Sequence, residues 1–555
     1  MKKNWWHNAI AYQIYPRSFK DSNNDGIGDI RGIISKLDYL KDLGINVIWI
    51  SPMFKSPMVD NGYDISDYYD INPEFGTMEQ MEELIKEADI RGIKILMDLV
   101  INHSSNEHPW FKKAIEDPNG KYADYYIFKE GIGHNPPNNW RSIFGGSAWD
   151  KVPNTNKYYL HLFAKEQPDL NWENSELREE LYKMINFWLD KGLGGFRVDA
   201  ITYIKKPENF DSLPQDAADG LASLFEITEN NEGIEEFLIE LRHKTFDKYD
   251  AMTVAEASGV KHDGLEKFIG PDGYFSSIFD FNYCNLDVGP KGWYDYNEIT
   301  TKRLRDAMFE SQLKVQEIGF ESNIIENHDL PRGVNMFLPD GEINYHSVTM
   351  LGTISLMLRG IPFIYQGQEI GMTNCRMDSI DEYNDISTHD HYSKAILGGL
   401  SEEKALEAVK RRSRDNTRTP FQWDNSENAG FTKGEPWLKV NPNYKEINAK
   451  AQINDENSVL SHYKKLIGLR KTKEYSNTLI YGKFEPALLE YENIIAYYRR
   501  GDNNSILVIN NYDNNLCEVE INLNDKKVLL NNYEDIDIKD NKIILKPYQS
   551  VIFVA

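Results

Sequence analysis

Cysteine is scarce in this chain. Its 555 residues include three, Cys284, Cys375 and Cys517, far apart and odd in number. Such a set forms neither a disulfide framework nor a metal-ligand spacing. No run of about 18 apolar residues occurs, so no membrane-spanning helix is expected. The segment Met1-Lys2-Lys3-Asn4-Trp5-Trp6-His7 carries lysines but no apolar stretch after them, unlike a secretory signal. Positive charge is also short: 62 Lys and Arg stand against 87 Asp and Glu, a net charge of −25. Nucleic acid and anionic membranes both require a basic surface, so neither is an expected partner. No Gly-x-Gly-x-x-Gly follows an early strand, which removes the signature of an open dinucleotide-binding sheet. These absences describe a cytoplasmic protein with no organic cofactor.

What is present is size, aromatics and a repeating pattern. A chain this long exceeds one ordinary core and predicts two or three domains, one of them large. Thirty-two Tyr and 11 Trp are enough to line a cleft for flat, amphipathic ligands such as sugars, although aromatics also fill cores. Strand-like runs fall at 9–16, 46–50, 94–100, 194–200, 252–257, 274–282, 321–327 and 362–367. Helical spacing separates them, for example at Leu177, Leu181, Ile185 and Trp188. Eight strands in βα alternation predict an α/β fold, a (β/α)8 barrel. Residues 104–173, rich in Asn, Pro, Gly and aromatics, interrupt the pattern after strand three and form an insertion domain. The barrel then comprises 1–103 and 174–478, with a further inserted subdomain at about 370–458. In 479–555 helical patterning fades, and Leu516 to Leu523 alternate strictly, which predicts a C-terminal antiparallel β-sandwich.

Charged residues collect where these strands end. Gly195-Phe196-Arg197-Val198-Asp199-Ala200 reads as a buried strand that finishes on an ion pair, because residues two apart share a face. A cation so close favours the ionised carboxylate, which makes Asp199 a candidate nucleophile. Strand three runs Met97-Asp98 to Asn102-His103, strand five ends at Glu256, and strand seven leads to Asn327-His328-Asp329. Catalytic groups of such barrels come from the C-terminal ends of several strands. Two carboxylates flanking a bond are the equipment for glycoside hydrolysis. Glu256 follows Val254-Ala255 with no cation nearby in sequence, so desolvation would suit it to acid/base work.

Asp98 to His103, Gly195 to Asp199, Glu256 and Asn327 to Asp329 resemble the four signature regions of the α-amylase family of glycoside hydrolases. Gln167-Pro168-Asp169-Leu170-Asn171 and the stretch Arg414 to Trp423 are similar to its oligo-1,6-glucosidase and α-glucosidase branch. The resemblance implies a retaining mechanism with Asp199 as nucleophile, Glu256 as general acid/base and Asp329 as transition-state stabiliser. It implies that His103, Arg197 and His328 line the same sugar subsite, that Gln167 binds substrate, and that Asp60 and Arg414 grip the non-reducing-end glucose. Tyr63, Phe144 and Phe163 would be aromatic walls. The loop Asp21-Ser22-Asn23-Asn24-Asp25-Gly26-Ile27-Gly28-Asp29 places oxygen donors at Asp21, Asn23, Asp25 and Asp29, with the Ile27 carbonyl between them. That is a hard-cation pattern, and it matches the branch's loop for structural calcium or magnesium.

Departures from the branch concern the leaving-group side. Ala200 follows the nucleophile where strict α-1,6 enzymes usually carry valine. Ala257-Ser258-Gly259 stands in place of Met-Pro-Gly, and Leu330 in place of glutamine. A methylene-scale change of this kind shifts discrimination by about 1–3 kcal/mol. The expectation is an exo-acting α-glucosidase releasing glucose from short α-1,6 gluco-oligosaccharides, with room for α-1,4 linkages. The alternatives are a sucrose-acting transglucosylase or isomerase, a trehalose-6-phosphate hydrolase and, last, a non-catalytic transport subunit. The expected partner is an oligosaccharide or disaccharide, and the expected state a monomer or weak homo-oligomer.

Overall fold

The computed structural model describes residues 3–216, 219–523, 526–539 and 541–555. Met1 and Lys2, at the start of the expected barrel segment, lie outside the described residues, as do three positions (524, 525 and 540) of the expected sandwich.

Eight parallel strands carry the fold: β1 (Ala11–Ile14), β2 (Val47–Ile50), β3 (Lys94–Val100), β4 (Gly195–Asp199), β5 (Met252–Ala255), β6 (Ser277–Phe279), β7 (Glu321–Asn323) and β8 (Ile361–Tyr365). Their hydrogen-bonded order, β1-β8-β7-β6-β5-β4-β3-β2, is that of a closed barrel. All eight coincide with the sequence-predicted runs. Strands six and seven are both far shorter than their runs, three residues each, and after the ladder of strand seven stops at Asn323, Ile324 to Asp329 leave it. The chain divides into two compact units, Trp49–Ile278 and Met1–Ile48 with Phe279–Ala555.

In the unit Trp49–Ile278, β4 pairs with β3 and β5, with Arg197 level with Asp98 on one side and Val254 on the other. Every residue of β4 is buried. Gly195 makes this packing possible. Its φ is +146°, and a Cβ there would lie 1.8 Å from the Met252 carbonyl oxygen. Helix α1 (Met78–Ile90) starts at a Thr77 capping box. Helix α2 (Ser175–Asp190) starts at Asn174, whose side chain accepts from the Glu176 and Leu177 amides. The apolar stripe of α2, Leu177, Leu181, Ile185 and Trp188, is buried as its spacing predicts. Helix α3 (Ile234–Lys244) precedes β5. The insertion after β3 holds a helix, Pro109–Glu116, and a three-stranded antiparallel sheet of Phe128–Glu130, Lys157–Leu160 and Trp149–Lys151. An apolar cluster, including Trp140, Trp149, Leu160, Ala200 and Tyr203, ties that sheet to the turn after β4.

In the other unit, helices α4 (Thr301–Val315), α5 (Tyr345–Met357) and α6 (Val459–Lys471) flank β1, β7 and β8. The segment 370–458 carries helices Ile386–Leu397 and Glu402–Arg412. The C-terminal strands are β9 (Lys483–Ala487), β10 (Ile494–Arg500), β11 (Ser505–Asn511), β12 (Cys517–Glu520), β13 (Lys527–Asn531), β14 (Asp537–Lys539), β15 (Lys542–Leu545) and β16 (Ser550–Val554). They form a five-stranded sheet, β9-β10-β11-β16-β13, and a three-stranded sheet, β12-β15-β14. Ile494, Leu507 and Phe553 of one meet Val519, Ile543 and Leu545 of the other, which gives the predicted sandwich core. Several side chains of the sandwich seat on α5: the Tyr497 hydroxyl donates to the Ile354 carbonyl at 2.9 Å, Arg499 to that of Met357 at 3.1 Å, and the Asn532 amide to the His346 carbonyl at 3.0 Å and to Thr349 Oγ1 at 3.1 Å. Arg499 also holds the Leu479 and Gly482 carbonyls, at 2.8 and 3.0 Å. In return Arg305 of α4 donates to the carbonyls of Tyr491 and Ile494. Among the described residues no helix is long and apolar enough to cross a membrane.

Candidate active site

Three carboxylates share one guanidinium in the unit Trp49–Ile278. Arg197 Nη1 donates to Asp98 Oδ1 at 2.8 Å and to Asp199 Oδ1 at 2.6 Å, and Nη2 donates to Glu256 Oε2 at 2.6 Å. Asp98 is wholly buried, and its other oxygen accepts from Trp49 Nε1 at 3.0 Å and the Tyr63 hydroxyl at 2.9 Å. The Arg197 guanidinium also lies 5.1 Å from the Trp49 ring centre. One cation cannot neutralise three anions in a dry site. Burial pushes the Asp199 carboxyl well above its ordinary range; Arg197 opposes that, while Glu256 and Asp98 add to it. The expectation that Arg197 alone keeps Asp199 low is therefore corrected. It counted the cation two residues away and missed the two carboxylates that compete for it.

Ala200 adopts the left-handed conformation, φ 42° and ψ 36°. Its amide, just past the nucleophile position, points at Glu256 Oε2, 3.2 Å away. A second group surrounds His103. Its Nε2 donates to the Tyr63 carbonyl at 3.1 Å, and its Nδ1 faces the Asn102 amide at 3.1 Å. Burial lowers its pKa to about 4, so the ring is neutral near pH 7. Gln167 Nε2 reaches Asp60 Oδ2 at 3.2 Å, the Tyr63 carbonyl at 3.3 Å and His103 at 3.2 Å. Phe163 packs edge-on to Phe144, with centroids 5.6 Å apart, and lies 5.1 Å from the His103 ring. Tyr63 is buried and anchored on Asp98, whereas Phe144 and Phe163 stay half-buried.

The other unit assembles a cationic cradle around Asp329. His328 Nε2 lies 2.9 Å from Asp329 Oδ2, while Arg414 and Arg418 reach Oδ1 at 3.1 and 3.0 Å. Partial burial works against the charge, but His328, Arg414 and Arg418 hold this carboxyl well below its usual range. Gln13 of β1 lies 2.8 Å from His328 Nδ1, which leaves Nε2 to face the acid. Arg414 is fixed from behind by Asp385, whose Oδ1 lies 2.7 Å from both Nε and Nη2.

The 21–29 loop belongs to this unit too. Asp21 accepts from the amides of Asn23, Asn24 and Gly26 and from the Thr432 hydroxyl. Asp25 Oδ1 accepts from the Ile27 amide, and Asn23 Oδ1 from that of Asp25. Asp29 caps the next helix through the Gly32 amide and holds Ser22. Among the described residues no group of three or more His, Cys, Asp or Glu side chains converges to hold a metal ion. The donor set is all oxygen, the type a hard cation takes, although the Asp21 oxygens already accept four hydrogen bonds and those of Asp29 hold Ser22 and the Gly32 amide.

Residues 13–482 match the family described as Alpha amylase, catalytic domain. The chain belongs to the α-amylase family. Residues 494–552 match the Alpha-amylase SusG C-terminal domain. The oligo-1,6-glucosidase of Parageobacillus thermoglucosidasius is 45% identical, over 100% of this chain and 99% of its own. The crystal structure of a mutant trehalose-6-phosphate hydrolase from Bacillus licheniformis is 41% identical with a TM-score of 0.93, and that of isomaltulose synthase from Klebsiella sp. LX3 is 38% identical at 0.94. Each covers the whole of both chains. As a member of this family the protein is a glycoside hydrolase.

Several polar residues of these clusters were not singled out from the sequence. Arg418 lies in the quoted 414–423 stretch, and its i,i+4 spacing from Arg414 was the available signal. Asp385, Lys206 (2.6 Å from Asp169) and the pair Tyr203–Glu229 (2.6 Å) carried none, because their partners are remote in sequence or lie in an acidic run.

Proposed function

We propose that the protein is a retaining, exo-acting α-glucosidase that releases glucose from the non-reducing end of short α-1,6-linked gluco-oligosaccharides, and that it admits α-1,4 linkages. The observation that carries this reading is the Arg197 clamp. One guanidinium spans Asp199 and Glu256, which suits the short carboxyl separation, about 5–5.5 Å, of retaining enzymes. Asp199 attacks the anomeric carbon while Glu256 delivers a proton to the leaving oxygen. A glucosyl ester on Asp199 results. Glu256 then takes a proton from water, which attacks the same carbon, frees Asp199 and restores the starting protonation. His328, Arg414 and Arg418 keep Asp329 ionised, which supports the reading that it stabilises positive charge in the transition state. His103, Gln167 and Asp60 form a neutral-and-anionic hydrogen-bonding set suited to glucose hydroxyls.

The test is Asp199→Asn. Removing a covalent nucleophile should lower kcat at least ~10³-fold with the fold intact by circular dichroism; near-wild-type turnover would sink the mechanism. Linkage is read from kcat/KM on isomaltose, maltose, sucrose and trehalose 6-phosphate, where isomaltose should rank first. The 21–29 loop is proposed to hold structural calcium or magnesium, supported by its oxygen donors. Exhaustive chelation should then lower Tm by a few degrees, and added Ca²⁺ or Mg²⁺ should restore it. Acidic charge and unpaired cysteines support a cytoplasmic, monomeric or weakly associating protein.

A further inference from the structure

Glu229 lies in the segment between β4 and α3, outside every role assigned above. The Tyr203 hydroxyl donates to its Oε1 at 2.6 Å. Tyr203 stands three residues after Ala200 and packs in one apolar cluster with it, and its ring meets that of Phe163 at 5.9 Å. From the other side Glu229 rests on the loop that follows Glu256. A Cβ on Gly259 would lie 2.7 Å from Glu229 Cβ and 2.8 Å from Oε2. The stretches leaving both Asp199 and Glu256 thus converge on one carboxylate. These are also the stretches where the chain departs from its branch, at Ala200 and at Ala257-Ser258. Burial, and then Glu256, raise the Glu229 carboxyl, while Tyr203 opposes them. Two lysines close to Tyr203 in sequence are engaged elsewhere, Lys205 with Glu173 at 2.5 Å and Lys206 with Asp169 at 2.6 Å.

We propose that Glu229, oriented by Tyr203, is a specificity-determining residue on the leaving-group side. It accepts hydrogen bonds from the hydroxyls of an uncharged leaving sugar and repels one that carries a phosphate. A second carboxylate beside the general acid is the wrong surroundings for a phosphoryl group. Sugar hydroxyls, which donate, are matched by it. The inference rests on the reading of Glu256 as general acid.

The experiment compares the wild type, Glu229→Gln and Tyr203→Phe in two measurements. One is the ratio of kcat/KM on trehalose 6-phosphate to that on isomaltose. The other is the ratio of inhibition constants for glucose 6-phosphate and glucose, which remains readable if the phosphorylated substrate is not turned over. Glu229→Gln should move both ratios toward the phosphorylated sugar by at least ~10-fold, and Tyr203→Phe should move them the same way by less. Ratios unchanged within about twofold in both variants, with native melting curves, would overturn the proposal. Wild-type turnover of isomaltose by Glu256→Gln would instead remove the assignment on which it stands.

Discussion

Arg197 has one positive charge and three carboxylates to satisfy, and its two terminal nitrogens divide that work. Nη1 serves Asp98 and Asp199, and Nη2 serves Glu256. Lysine would carry the charge but not the fork. Arg197→Lys is expected to lower kcat by ~10²-fold or more. The pH profile adds a sharper readout. As pH falls, protonation of Asp199 neutralises the nucleophile. With the cation less well placed, the anionic forms lose stabilisation, so the acid limb of kcat/KM should move to higher pH. An acid limb that stays in place would mean that the limb belongs to another group. At this scale the sequence was informative about identity and poor about environment. Asp199, Glu256 and Asp329 could be picked out because strand ends in a barrel carry chemistry. The competition for Arg197 could not, because Glu256 is 59 positions from it and Asp98 is 99 away. The left-handed backbone of Ala200 was equally hidden, since only glycine or asparagine would have announced it.

Between elements, α5 and α6 meet through a buried histidine. His462 Nε2 donates to Thr353 Oγ1 at 2.9 Å, and that hydroxyl in turn donates to the Thr349 carbonyl. Burial, helped by Lys465, lowers the His462 pKa from 6.5 to about 3. The folded state therefore binds fewer protons here than the unfolded chain. The contribution of this residue is complete above pH 6.5 and is lost as pH falls toward 3, by about 1.4 kcal/mol per pH unit. His462→Gln keeps a donor to Thr353 without the titration. The stability difference between wild type and variant, from urea unfolding at pH 7 and pH 5, should shift by roughly 2 kcal/mol in favour of the variant at the lower pH. A pH-independent difference would show that the histidine is not held neutral. The elements themselves were largely legible. Long helices such as α2 announce themselves by their stripe, and the buried strands by short apolar runs between turns. The insertion's sheet was not, because strands of three or four residues carry too few alternations to register. The shortness of β7 was hidden for the opposite reason, since its apolar pattern continues through Ile324 and Ile325 after pairing ends.

Across the whole molecule, the sandwich was read from alternation alone, but its seating on the barrel helices was not. Many of those contacts join side chains to main-chain carbonyls, and carbonyls leave no mark in a sequence. Arg499 is fully buried and donates to the carbonyls of Met357, Leu479 and Gly482. Arg499→Met would fill the space and leave three acceptors without their donor. A loss of about 3–5 kcal/mol is expected, seen as a lower midpoint in chemical unfolding. The sandwich and β1, β7 and β8 should still melt in one transition. A separate early transition for residues 483–555 would contradict this view of the junction. The same arrangement bears on domain exchange between related chains. A junction written in main-chain acceptors is indifferent to most side chains around it, so a sandwich from a distant relative could be grafted here. The graft would have to bring its own equivalents of Tyr497, Arg499, Asn532 and Tyr533, whose ring stacks on that of His346 at 3.7 Å, and the host would have to keep Arg305 and His346.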